Sequence, residues 1–320
     1  MLPAAPLVSV CIPAYNSEKF AAETIRCILN QTHQHIEVIV VNDGSTDGTA
    51  VVLDQIQDPR FRYVSQPNKG AAAARNAAFQ LSSGSFIKFM DADDLINENC
   101  IQNQLQRIIA EPGSIASAKW GRFYSNDGTD FKLAIEKVWK DLPGIDWLVN
   151  SLIDTGANMM QPGIFLIPRA IIEKAGAWNE SLSLIDDFDY MVRVLAASEK
   201  VLFCDGAILK YRSGVSNNLS GKNSPVHMLS AFSALNLGVE NILKAKNDKR
   251  SRLACANTFK RWSYLFYPNY MDYYIAIENE IEQLGGSDIS IVGSRSFNIL
   301  AMLIGWKKAK KIKMYLTGNE

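Results

Sequence analysis

Short apolar runs alternate with stretches whose apolar residues recur every three or four positions. Leu7–Ile12 (LVSVCI) is a β-rich run closed by Pro13. Asn16 or Ser17 then stands where a side chain can cap a helix whose positions Phe20, Ile25, Ile28 and Leu29 follow helical spacing. Ile36–Val41 (IEVIVV) is apolar almost throughout, as a parallel strand covered on both faces requires. A polar turn follows, Asn42 to Thr49 (NDGSTDGT), and then a helix carrying Val51, Val52 and Ile56. Phe61–Val64 is a third strand, Gly70–Leu81 an alanine-rich helix, and Phe86–Met90 a fourth strand running into DADD, residues 91 to 94. This alternation predicts an α/β fold, a Rossmann-like, mostly parallel sheet flanked by helices. Ligands bind beyond the carboxyl ends of such strands, and polar clusters fall at three of those ends.

From Glu98 the rhythm loosens. A helix runs through Ile108, an extended run covers Ile115–Tyr124, and Gly128 marks a turn. Ile164–Ile167 reads as a strand, Arg169–Ala175 as a helix stopped by Gly176, and Asp187–Ala197 as a helix with Phe188, Met191, Val192 and Leu195 on one face. Two short strands are expected near Val201–Phe203 and Ile208–Tyr211. The stretch SGVSNNLSGKNSP has loop composition, and beyond Pro225 the pattern is helical. These features divide the chain into a first half-domain at 1–95, a second at 96–215 and a helical C-terminal region at 216–320.

Composition narrows the class. Of 320 residues, 48% are hydrophobic and 21% charged, which excludes disordered and collagen-like chains. Lys+Arg and Asp+Glu both number 33, so net charge gives no reason to expect a nucleic-acid partner. The cysteines Cys11, Cys27, Cys100, Cys204 and Cys255 are scattered, and His33, His35 and His227 lack metal-ligand spacing, which points to a reducing compartment without structural zinc. The N-terminal segment lacks a signal-peptide pattern and apolar runs fall short of the ~20 residues of a membrane span. The expected location is the cytoplasm, including the inner face of the plasma membrane.

The acids Asp91, Asp93 and Asp94 at a strand end suit a divalent cation that also binds phosphate oxygens, or form a solvated turn. Asp43 can accept from a base N–H, while Asp47 suits a helix cap and Gly44 and Gly48 suit turns. Lys69 and Arg75 flank a helix start, a setting for phosphate or for close packing. Tyr15 offers a ring to a base or to the core. Asp186, Asp187 and Asp189 crowd a helix start, favoured by its dipole or placed for base catalysis.

Taken in order, SVCIPAYN, VNDGSTDGT, NKGAAAARN, FMDADD and IDDFDYMVRV resemble the inverting family 2 glycosyltransferases of the GT-A fold, over about residues 7–212. The resemblance implies transfer from a nucleotide-diphosphate sugar, typically a UDP-sugar, with Mn²⁺ or Mg²⁺, to a glycan or lipid-linked glycan acceptor in bacterial cell-surface polysaccharide synthesis. It implies that Pro13, Tyr15 and Asp43 hold the base, with Asn16 in the same motif, and that Arg75 and Lys69 lie beside the nucleotide. Asp91, Ala92 and Asp93 match the family's Asp-x-Asp, with Asp93 or Asp94 as metal ligand. Asp187 matches the family's catalytic base, with Asp186 where a glutamate is common. No histidine stands in the few residues after Tyr211–Arg212 (SGVSNNLS), where many relatives carry one, so a metal or diphosphate contact from that loop is not expected. The Gln-x-x-Arg-Trp signature of processive synthases is missing, Thr258 standing where glutamine would, so one sugar is expected per encounter.

Acceptor selection is assigned to Trp120–Gln161 and the loop Gln161–Gly163. In the tail, Trp306 precedes Lys307, Lys308, Lys310, Lys311 and Lys313, which suits anionic lipid headgroups or plain solvation. The aromatics from Trp262 to Tyr274 suit a helical core, a homodimer surface or a lipid face. Two rival readings are weaker. A haloacid-dehalogenase-like phosphatase needs Thr or Val where Leu95 stands, and an inactive nucleotide-binding scaffold leaves the full set of acids without a purpose.

Overall fold

A computed structural model describes residues 5–125, 128–157, 160–214, 224–291 and 293–317. The chain divides into two compact units, Met1–Leu148 with Met160–Asn241, and Val149–Met159 with Ile242–Glu320. The division expected at residue 216 lies outside the described residues.

In the first unit the order is β1 (Val8–Ala14), α1 (Ala21–Leu29), β2 (Ile36–Asp43), α2 (Thr49–Asp54), β3 (Phe61–Gln66), α3 (Ala71–Leu81), β4 (Phe86–Phe89), β5 (Leu95–Ile96), α4 (Cys100–Ile109) and β6 (Ile115–Phe123). After the short strands β7 (Lys132–Leu133) and β8 (Leu142–Pro143) come α5 (Gly144–Leu152), a 3-10 turn at Pro162–Ile164, β9 (Phe165–Pro168), α6 (Arg169–Ala175), α7 (Asp186–Ala197) and β10 (Lys200–Arg212). The helices α8 (Pro225–Ala245), α9 (Lys249–Phe266), α10 (Met271–Gln283), α11 (Arg295–Ile304) and α12 (Trp306–Thr317) complete the chain.

The sheet runs β3-β2-β1-β4-β9-β6-β10-β5. β1 to β4 pair in parallel, as the strand–helix alternation predicts. β9 is inserted antiparallel between β4 and β6, joining the two halves. In β2, Val38 to Val41 are all buried, because helices cover both faces. The alanines of α3 let that helix lie close against the sheet, and Ala72, Ala73, Ala74 and Ala78 are buried. None of the cysteines forms a disulfide.

Two local expectations change. α1 is preceded by Phe20 with no side-chain cap, because Asn16 and Ser17 are used in the turn before it. The two strands expected at Val201–Phe203 and Ile208–Tyr211 are one strand, β10, with a register shift between Cys204 and Ile208. Asp205 and Gly206 read as a break, yet the long partner β6 spans the bulge and keeps both segments in one ladder.

In the second unit, Asp248 caps α9 by accepting from Ser251 N, and Ser294 caps α11 by accepting from Phe297 N. The aromatic cluster is largely internal core here. Tyr267 meets Tyr274 and Trp306 at centroid distances of 5.3 and 5.4 Å, and Phe266 meets Tyr273 edge-on at 5.6 Å. No described helix is long and apolar enough to cross a membrane.

Candidate active site

β2, β1 and β4 lie side by side and in parallel, so their carboxyl ends open on one edge of the sheet. Asp43 ends β2 and is 2% exposed. Its Oδ1 accepts from Lys69 N (2.9 Å) and Gln66 Nε2 (2.7 Å), and its Oδ2 accepts from Gly70 N (2.8 Å). Gly70 takes φ +92°, a turn that glycine makes without strain. Asp43 thus fixes the loop that starts α3, and α3 carries Arg75 inward.

Arg75 organises the acids. Its side chain is 8% exposed, with Nη2 2.7 Å from Asp91 Oδ1 and Nη1 3.1 Å from Asp186 Oδ2. The guanidinium lies 4.5 Å over the Trp178 ring, which stacks on Tyr190 at 3.8 Å. The neighbouring Asn76 locks this corner, donating to Trp178 O (3.0 Å) and accepting from Trp178 N (2.9 Å). One planar cation therefore binds the end of β4 to the start of α7, Arg75 reaching 16 residues along the sequence to Asp91 and 111 to Asp186.

The DADD loop is not a solvated turn. Ala92 and Asp94 are buried. Asp94 accepts from Arg212 N at Oδ1 (2.9 Å) and from Gln161 Nε2 at Oδ2 (2.6 Å). Burial first, and then the charges of Asp93 and Asp91, push its carboxyl well above the usual range. Asp94 is an internal brace with both oxygens engaged. Asp93 is half-buried and makes no ion pair among the described residues; burial and the charge of Asp91 raise it to about 6. Of the two candidate metal ligands, Asp93 is the one whose carboxylate is left available.

Asp187 stands on the first turn of α7. The helix begins after Ile185, held at φ +52°, a strained conformation for a β-branched residue. That turn directs two successive acids into the Arg75 corner. Asp186 takes the ion pair. Asp187 accepts its neighbour's N–H, Phe188 N, at 2.9 Å and makes no ion pair among the described residues. Burial and then the charge of Asp186 push Asp187 up to about 7, a value suited to taking a proton near neutral pH. Asp189 instead pairs with Arg193 at 2.8 Å, an intrahelical role.

The remaining predicted residues form the rim. Tyr15 is 51% exposed, its ring open to a planar ligand, and Pro13 precedes it at the end of β1. Asn16, at φ +50°, accepts from Thr46 N at 2.8 Å and so ties the rim to the β2–α2 loop. Asp47, expected as a helix cap, accepts from Thr49 N at 3.0 Å, while the N-cap position of α2 falls to Gly48. The Lys69 side chain is exposed. Gln161, expected beside an acceptor, instead faces the acid loop, donating to Asp94 while its Oε1 is buried without a partner. The expected loop after Ser213 lies largely outside the described residues.

Sequence reasoning missed Asn76, Trp178 and the bracing roles of Gln161 and Arg212. Arg212 donates to Asp93 O (2.9 Å) and Glu23 (2.6 Å) and stacks on Phe20 and Phe123. Only the adjacency of Asn76 to Arg75 offered a signal.

A model described as Glycosyl transferase family 2 matches residues 9–173, from β1 through most of α6. The chain belongs to glycosyl transferase family 2. The pair Asp186–Asp187 lies just beyond the matched span. Glycosyltransferase GlyG of Streptococcus pneumoniae is 31% identical over 224 residues, 64% of this chain and 70% of that protein. Chondroitin synthase of Escherichia coli is 40% identical over 99 residues, 30% of this chain but 14% of the synthase. The structure of S. aureus TarS in complex with UDP-GlcNAc superposes with a TM-score of 0.67 at 17% identity, covering 87% of this chain and 81% of that one. At that identity the likeness concerns the fold, which is GT-A. The family 2 chain is a glycosyltransferase related to enzymes that build polysaccharides.

Proposed function

We propose that this glycosyltransferase moves one sugar per encounter from a UDP-sugar to a hydroxyl of a glycan or lipid-linked glycan, inverting the anomeric centre, in bacterial cell-surface polysaccharide synthesis. One observation carries the reading. Arg75 pairs with both Asp91 and Asp186, leaving Asp93, just after β4, and Asp187, on the first turn of α7, without ion pairs among the described residues. The UDP-sugar assignment draws on the TarS fold, whose complexes hold UDP and UDP-GlcNAc.

In this reading the base of the nucleotide rests between Pro13 and the exposed Tyr15 ring, inside the rim tied by Asn16. Asp43 holds the Lys69–Gly70 turn and offers a remaining lone pair to a base N–H. Lys69 faces the diphosphate, and Asp91, steadied by Arg75, with Ala92 beside it, faces the ribose. A divalent cation fits Asp93, a hard oxygen donor whose charge lacks an ion pair. No group of three or more His, Cys, Asp or Glu is arranged as a metal cage among the described residues, so its other ligands would come from diphosphate and water. Bound there, Mn²⁺ or Mg²⁺ would neutralise charge on the departing diphosphate. Asp187 takes the acceptor's hydroxyl proton as that oxygen attacks the anomeric carbon from the face opposite UDP. A single displacement needs no covalent sugar–enzyme intermediate.

The test measures UDP release from UDP-sugars by wild type and Asp187→Asn, with donor binding followed by calorimetry. Loss of a general base predicts turnover lower by about 10²–10⁴ with donor affinity within about threefold. Full turnover in Asp187→Asn would overturn the assignment of the base. Binding of another nucleoside diphosphate in preference to UDP would overturn the donor.

A further inference from the structure

The helices α11 and α12 form a hairpin that turns at Gly305, where φ is +81°. Its inner side is packed. Phe297 is 4% exposed and Ala309 fully buried, and Trp306 sits among Tyr264, Tyr267 and Tyr274 at 5.4–6.3 Å between ring centroids. Lys310 points the same way and donates to the carbonyls of Tyr264 and Tyr267. Trp306 and Lys310 are therefore committed to the unit's own core.

The outer side carries a different set. Met302 is 85% exposed, Leu303 75% and Leu316 76%, with Ile299, Ile312 and Tyr315 beside them at helical spacing. Soluble surfaces seldom gather aliphatic side chains this way without a partner. Charge identifies the partner. Residues 293–317 contain Arg295, Lys307, Lys308, Lys310, Lys311 and Lys313 and no acid, in a chain whose net charge is zero. A second copy would bring like charge against like charge. A nucleic acid would leave the aliphatic side chains against water or phosphate.

We propose that the outer face of the α11–α12 hairpin docks on an anionic lipid surface, with Ile299, Met302, Leu303, Ile312, Tyr315 and Leu316 entering the headgroup–acyl boundary. The exposed Lys308 lies about one turn from Ile312 and meets the lipid phosphates, and the exposed Lys311, its ammonium 5.8 Å from the Tyr267 ring centroid, borders the same face and adds its charge. The contact is peripheral, since neither helix is long enough to span. The insertion face lies away from Trp306, whose ring the structure turns inward.

Flotation of the full chain with vesicles tests this. Binding to vesicles containing about one third phosphatidylglycerol should be at least tenfold tighter, roughly, than to pure phosphatidylcholine. It should weaken by about tenfold as salt rises from about 0.1 to about 0.5 M. Met302→Glu with Leu303→Glu, and separately Lys308→Glu with Lys311→Glu, should each lower binding about tenfold or more. Val51→Glu, on exposed α2, should not. Circular dichroism checks that each variant is folded; an unfolded pair is replaced by Leu316→Glu, a single change at a site 76% exposed. No binding at low salt, or binding that the folded variants leave intact, overturns the proposal. So does a dimer in light scattering that Met302→Glu with Leu303→Glu abolishes, because the face would then belong to a second copy.

Discussion

Asp187→Asn should inactivate the enzyme and, at alkaline pH, stabilise it. Burial and the charge of Asp186 hold the Asp187 carboxyl at about 7 against an ordinary 3.8, with Arg75 and the Phe188 N–H only partly offsetting them. A native value above the unfolded one means that the folded state holds the proton more tightly. The stabilising contribution is complete below about pH 4 and is lost as pH rises through about 7. Above that, keeping the carboxylate ionised costs roughly 4 kcal/mol at most, at about 1.4 kcal/mol per pH unit of difference. The side chain keeps part of its surface in water, so about 2 kcal/mol is the working figure. Asparagine has the shape of the protonated acid and carries no charge. With roughly 2–4 °C per kcal/mol for a chain of this size, Tm should rise by about 4–8 °C at pH 8, by roughly a third of that at pH 5, and hardly at all at about pH 3.5. Differential scanning calorimetry of both proteins at these pH values reads this directly. An equal change at about pH 3.5 and pH 8, or a loss at pH 8, would refute the claim that Asp187 is a strained, catalytically poised acid.

Other predictions follow from the same corner. Wild-type turnover should climb about tenfold per pH unit on the acid side and level off near pH 7, where Asp187 is ionised; a flat profile from pH 5 to 8 would contradict its role. Asp93, raised to about 6, must lose its proton to bind a cation, so Mn²⁺-dependent donor affinity should fall below pH 6. Asp93→Asn should remove the metal dependence, and calorimetry with and without Mn²⁺ decides it. Arg75→Met leaves Asp91 and Asp186 without their cation, and urea unfolding should show a loss of about 3–5 kcal/mol. A loss below about 1 kcal/mol would mean that these acids find other partners. Gly238→Ala places a Cβ 2.2 Å from Phe188 Cε1, so the ring must move and Asp187 with it. The expected cost is about 1–3 kcal/mol with reduced turnover, measured together on one preparation.

Local pattern carried much of the fold. IEVIVV announced a strand buried on both faces, and the repeated strand–helix rhythm announced the parallel half of the sheet, because burial period and turn chemistry are written in neighbouring residues. The acids could also be placed, since each follows a strand or starts a helix. Asn16 shows where local reading fails. It has capping chemistry and sits before a helix, yet Thr46, thirty residues away in sequence, takes its carbonyl oxygen. The break at Asp205–Gly206 likewise vanished once β6 supplied a continuous partner.

What separates similar acids is burial and partnership, and both are long-range. Asp93 and Asp94 are adjacent and chemically identical, but the backbone of Arg212 and the amide of Gln161 close around Asp94. Asp186 and Asp187 are likewise adjacent, and Arg75 reaches only the first. The sequence by itself determined that acids would stand at the carboxyl ends of β2 and β4 and at the start of α7. The tertiary structure decided which are paired and which are left with their charge uncompensated, because a carboxylate's protonation depends on the cations and the solvent that the folded chain brings to it.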